Sequence, residues 1–235
     1  MGEMKMGVTY TGLPEGHVVI EGGQPAQSWL LGVLGSFARL QDEIQHQLTM
    51  YIYNKGPENV ALALQKCHFS RLTDAERWGY VKALAKDAGF KGDLNRASDA
   101  FWRCKRVRDV IGHSESLELW FDPTIQAYTY LSGANRLKGV PDPLTPAALR
   151  MIEAETRWLW SLVRHLGYLG GVTYVSVGFH RHDDGKLHAP ALGIPDPGPL
   201  PTDPDWQAPE ARPLPCETGG LMGVEQRPQS QVPAT

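Results

Sequence analysis

From residue 27 to residue 54 apolar side chains return every three or four positions: Leu30, Val33 or Leu34, Phe37, Leu40, Ile44, Leu48, and Tyr51 or Ile52. This is the period of an α-helix with one apolar face, and Gly56-Pro57 supplies its stop. A stripe of this length needs a partner surface of similar length, so the chain is expected to provide other helices to cover it.

Those helices are legible downstream. Val60, Leu62, Leu64 and Cys67 suggest a helix over about 57–67. Thr73-Asp74-Ala75-Glu76 reads as a capping box, opening a helix through Trp78, Val81, Leu84 and Ala85 that Gly89 stops. Over 93–113, Leu94, Ala97, Phe101, Cys104, Arg108 and Ile111 fall in one stripe, so Arg108 interrupts an otherwise apolar seam. Burying a guanidinium without a partner is expensive, and the seam is therefore expected to face an acid or a polar cleft there.

After Ser116 the period changes to two. Leu117, Leu119 and Phe121, then Tyr128 and Tyr130 beyond Asp122-Pro123-Thr124, predict a β-hairpin. Thr145-Pro146 is a cap followed by a first-turn proline. It starts a helix carrying Leu149, Ile152, Thr156, Leu159, Val163 and Leu166, with Gly167 or Gly170 as the stop. Val172 to Phe179 is a further strand candidate.

The expected fold class is mainly α: a helical bundle with an inserted β-hairpin and a disordered, proline-rich C-terminal tail. Helix 93–113 is expected to pack on helices 27–54 and 146–167. Residues 1–26, glycine-rich with one apolar stretch at His17-Val18-Val19-Ile20, read as an irregular arm. The domain proper is assigned to 27–180. The tail is assigned to 181–235, which holds 11 of the 18 prolines and little apolar periodicity.

A formal charge of −3 over 235 residues argues against a uniformly basic, nucleic-acid-coating protein, but it leaves room for a local basic patch. Cys67, Cys104 and Cys216 are far apart and odd in number, with no CxxC, so no disulfide framework or zinc knuckle is indicated and a reducing cytoplasmic setting is expected. The N-terminus shows no apolar signal core, and no segment approaches membrane-spanning length.

Chemistry concentrates at the end of the 93–113 segment, which reads Arg108-Asp109-Val110-Ile111-Gly112-His113. Arginine is a permanent cationic fork suited to phosphate, and histidine exchanges protons near neutral pH. Other arginine–histidine pairs at near spacing, Arg39…His46, Arg106…His113 and Arg181…His188, lack the polar residue after the arginine or the helix-end position. At this run the chain resembles the HEPN superfamily, whose motif is Arg, a polar residue, three to five further positions, then His. Ser114 also fits, as does the order of helices, and the resemblance covers about residues 25–170.

The resemblance implies a metal-independent endoribonuclease of toxin or defence type. In it the RNA 2′-hydroxyl attacks the adjacent phosphate, His113 acts as general acid or base, Arg108 steadies the phosphorane charge and Asp109 orients one of them. Arg103, Lys105 and Arg106 would form an RNA-binding track. No metal and no cofactor is expected. On an ideal helix Arg108 and His113 point about 140° apart, so the resemblance further implies a homodimer through the motif helix, with two protomers completing one cleft. The competing reading is a non-catalytic binding or adaptor module of the same type, its proline-rich tail recruiting a partner. That reading gains if Arg108 turns into its own core against a carboxylate, or if His113 is shielded from any dimer cleft.

Two metal-like clusters are weaker. His180-Arg181-His182-Asp183-Asp184 with His188 sits in a glycine-containing loop context, and Glu43 with His46 has no second Glu-x-x-His to complete it.

Overall fold

The computed structural model describes residues 24–113, 117–122, 127–133, 144–175, 180–181, 187–188 and 191–213. Among these residues it is mainly helical. The helices are α1 (Gln24–Lys55), α2 (Glu58–Cys67), α3 (Asp74–Asp87), α4 (Leu94–His113) and α5 (Pro146–Leu169), with a 3-10 turn at Phe69–Arg71. The strands β1 (Leu117–Asp122) and β2 (Ala127–Gly133) form the expected antiparallel hairpin between α4 and α5, with an irregularity between Trp120 and Phe121. Short strands follow: β3 (Tyr174–Val175), β4 (His180–Arg181), β5 (Leu187–His188), β6 (Ala191–Gly193) and β7 (Arg212–Pro213). β6 lies between β3 and β7, and β4 pairs with β5. No helix among the described residues is long and apolar enough to cross a membrane.

The stripe on α1 is buried as its period demands: Val33, Phe37, Leu40, Ile44 and Leu48 all lie inside. They meet α4 and α5, as anticipated. Phe101 of α4 stacks on Trp78 of α3 with ring centroids 4.6 Å apart and tilts against Phe37 at 5.8 Å. The buried Trp78 indole N–H is not left unmatched; it donates to Ser98 Oγ at 3.0 Å.

Local chemistry sets the helix ends. The Thr73 hydroxyl accepts from Glu76 N–H while Glu76 reaches back to Thr73 N–H, which is the predicted capping box. Hydrogen bonds from Thr73 hold the exposed Glu76 carboxyl below its ordinary pKa. Thr145 caps α5 through Ala148 N–H, followed by Pro146. Asp93 Oδ1 accepts from the N–H groups of Asn95 and Arg96, closing the start of α4. At the other end of α5, Gly171 takes φ +90°, a conformation L side chains rarely adopt. The chain there turns so that Val172 N–H returns to Gly167 C=O at 2.9 Å.

The expected boundaries change in two places. α1 begins at Gln24, inside the arm assigned to 1–26, while residues 1–23 lie outside the described residues. The disordered tail from 181 is corrected over 191–213, which folds back on the helices. Trp158 Nε1 donates to Gly198 C=O at 3.0 Å, His165 Nδ1 donates to Ile194 C=O at 2.9 Å, and Arg157 donates to the carbonyls of Pro204 and Trp206. Ile194 is buried, and Leu200 and Trp206 pack against the core. Prolines removed the periodicity that would have revealed this: an extended strap has its carbonyls available to α5 side chains and needs no regular pattern of its own. Residues 214–235, including Cys216, lie outside the described residues.

Candidate functional site

α4 carries the candidate site on the flanks of its buried face. Val107, Val110 and Ile111 point inward, and Arg108 lies at the edge of that seam, facing α1 and α3. The acid that the seam requires is Asp74, in the first turn of α3. Arg108 donates to Asp74 Oδ2 at 2.6 Å, with the two side chains 23% and 10% exposed. Gln41 at 2.5 Å and Arg77 at 3.3 Å bind the other carboxylate oxygen. The N-terminal end of the α3 dipole favours a negative charge in that first turn.

Two further contacts hold the Arg108 guanidinium. Its Cζ lies 4.8 Å from the centre of the Phe37 ring, and its Nε lies 3.2 Å from Asp109 Oδ1. The second contact is too bent for a hydrogen bond, since Nε is buried without an acceptor, and it acts as an electrostatic pair. Asp109 also takes the Lys105 ammonium one helical turn away. Arg108, Asp109 and Lys105 are therefore one network running from α1 through α3 to α4.

His113 is exposed at the last residue of α4. The helix continues unbroken through Gly112, so its backbone does not loosen there to swing His113 toward Arg108. The 140° separation of an ideal helix is thus retained within one protomer. Ser114 lies outside the described residues.

The other expected RNA contacts have partners of their own or are partly covered. Arg103 makes a two-pronged bond to Glu155 of α5, at 2.8 and 2.6 Å, with Glu155 only 7% exposed. Paired planar groups of this kind are among the stronger ionic contacts. Arg106 is half-buried, its Nε shielded from solvent without an acceptor among the described residues. Cys104 lies beside Glu155 under Arg103, and burial pushes its thiol up to about 12, so it is no thiolate nucleophile at neutral pH. Trp102 packs half-buried against the core; the Trp120 side chain lies outside the described residues.

No group of three or more metal-ligating side chains occurs among the described residues. Glu43 accepts a hydrogen bond from Gln47, one turn on, while His46 is exposed. The backbone register sets His180 opposite His188; their side chains, and residues 182–184, lie outside the described residues.

Asp74 and Glu155 are the residues that sequence reasoning missed. Each left a signal. Arg108 in an apolar seam demanded an acid, and Glu155 with Thr156 interrupts the apolar pattern of α5. Which acid meets which arginine depends on how the helices cross, and that is not written in either helix alone. Comparisons with protein-family models, curated proteins and solved structures found no match.

Proposed function

We propose that this chain is a non-catalytic, HEPN-like binding module in which Arg108 fastens helices together and does not bind a reacting phosphate. The observation that carries this reading is the inward turn of Arg108 onto Asp74 and Phe37. A transition-state clamp needs its donors aimed where charge develops, and here the strongest donor is already matched to a shielded carboxylate. Exposed Cys67 and buried Cys104 are both free thiols, which suits a reducing, cytoplasmic compartment. The strap over 191–213 is engaged by α5, so any recruitment through the proline-rich region falls to residues beyond it.

The metal-independent endoribonuclease is the second reading, and the exposure of His113 at the end of α4 favours it. It requires a homodimer through the α4 face, because His113 and Arg108 of one protomer diverge and two protomers would bring a second set to one cleft.

An RNA-cleavage assay in EDTA separates the two. The binding-module reading expects intact RNA with wild-type protein and a lower melting temperature for Arg108→Ala. Cleavage that is abolished by His113→Ala and by Arg108→Ala, with melting unchanged in both variants, would overturn it in favour of a nuclease.

A further inference from the structure

On α1, Arg39 points about 200° away from Phe37 by helical spacing, and so lies on the opposite side from the Arg108 network. Its guanidinium rests over the indole of Trp160 on α5, with Cζ 4.4 Å from the ring centre. Arg164, one turn along α5, lies over the same indole at 4.6 Å and over the Tyr174 ring at 4.9 Å. Tyr174 is fixed in turn: its hydroxyl donates to the Arg164 carbonyl at 3.2 Å. Arg39 is exposed; Trp160, Arg164 and Tyr174 are half-buried.

Neither Arg39 nor Arg164 forms an ion pair among the described residues. Asp42 and Glu43 follow Arg39 by three and four residues on α1; neither pairs with it among the described residues, and Glu43 takes the Gln47 amide. Two planar cations are therefore held in place by aromatic rings instead of by carboxylates, which preserves their charge for a ligand. A guanidinium held over a ring through its central carbon still carries five N–H donors, and a phosphate can take two of them at once. The exposed plane of Arg39 also offers a surface on which a base can stack.

We infer that Arg39, Trp160 and Arg164 form a grip for single-stranded nucleic acid, with the two forks on the phosphate backbone and an unpaired base over the Arg39–Trp160 stack. Stacking selects this ligand over a purely anionic one. A duplex keeps its bases paired, and a simple polyphosphate has none to stack. The inference rests on reading the chain as a binding module, and it supplies that module's ligand.

The test is fluorescence anisotropy of the full-length protein in EDTA. The probes are labelled, unstructured RNA and DNA single strands of about 12 nucleotides, with an RNA duplex and inorganic tripolyphosphate as competitors. Arg39→Ala and Arg164→Ala should each weaken single-strand binding about tenfold and lower the salt slope by about 0.7. Arg39→Lys should retain the slope while losing affinity, because lysine keeps the charge and loses the plane. Lys82→Ala, an exposed cation on α3, should change neither. Preference for RNA or for DNA identifies which strand is taken; either supports the grip.

The inference is overturned if single strands do not bind, if duplex or tripolyphosphate competes as well as a single strand, or if both arginine variants bind like wild type. A thermal melt of each variant confirms the fold, and Arg39, being exposed, keeps the test valid should Arg164→Ala melt early. A denaturing gel of the recovered RNA reads the other question separately. Cut RNA defeats the non-catalytic reading and leaves the grip to stand or fall on the affinities.

Discussion

The flank of α4 and the α1–α5 face both concentrate arginines, and they treat them in opposite ways. Along α4, Arg103, Lys105 and Arg108 each meet a carboxylate from Glu155, Asp109 or Asp74. On the α1–α5 face, Arg39 and Arg164 lie on Trp160. A cation matched to a shielded acid has its field cancelled nearby and serves to orient helices. A cation propped on a ring keeps most of its field and its donors. Counting basic residues along a helix therefore says little about where a polyanion would bind; the partners decide it.

The largest expected effect comes from the seam beneath the second region. Gly167 packs so closely on Gln47 that a Cβ there would lie 1.8 Å from Gln47 Oε1, itself buried. Gly167→Ala should cost about 3 kcal/mol, read by urea denaturation, and should displace the α1–α5 contact that sets Arg39 over Trp160. A variant as stable as wild type would show that this seam adjusts easily.

Next is Asp74→Ala, which strips the acid from Arg108, Arg77 and Gln41. Because Arg108 is partly exposed, the loss expected is about 2 kcal/mol, below that of a fully buried pair. Arg39→Ala should change stability by less than about 0.5 kcal/mol while weakening strand binding. The contrast between these two substitutions sharpens the comparison most. Equal stability losses would mean that both arginines are structural.

Thiol labelling probes the first region without mutation. Cys67 is exposed and Cys104 buried, with burial raising the Cys104 thiol to about 12. Cys67 should react with iodoacetamide at neutral pH in the native protein, and Cys104 only after denaturation. Fast native labelling of Cys104, mapped by mass spectrometry, would mean that α4 and α5 part readily at the Arg103–Glu155 bond.

The smallest effect expected is at the start of α3, next to Asp74. Glu76 has its pKa lowered by hydrogen bonds from Thr73. Its contribution is thus complete above the ordinary carboxylate range and is lost as pH falls through the lowered folded value. Glu76→Gln should flatten the acid end of the stability–pH curve slightly, measured by melting at a series of pH values. No flattening would mean that the reciprocal cap does not persist in solution.

Much of the helical frame was readable because burial has a period. The stripes on α1, α4 and α5, the Thr73–Glu76 box and the Thr145-Pro146 cap are local patterns, and the structure repeats them nearly residue for residue. The need for an acid opposite Arg108 was readable too. The strap over 191–213 was not, since proline-rich chain carries no period and binds through its carbonyls. The Arg39–Trp160–Arg164 cluster was equally hidden, because Arg39 lies 121 residues before Trp160 in the chain.

By itself, then, the sequence determined which segments are helices, the caps that open α3 and α5, and which face of each helix must be covered. Those properties arise from hydrogen bonds and side-chain spacings within a few residues. Only the tertiary structure decided that Asp74 meets Arg108, that Glu155 meets Arg103, and that Trp160 carries two arginines. Charge pairing and ring stacking depend on distance in space, and that distance is set by how the buried faces pack, after which the polar flanks take whatever neighbours the packing brings them.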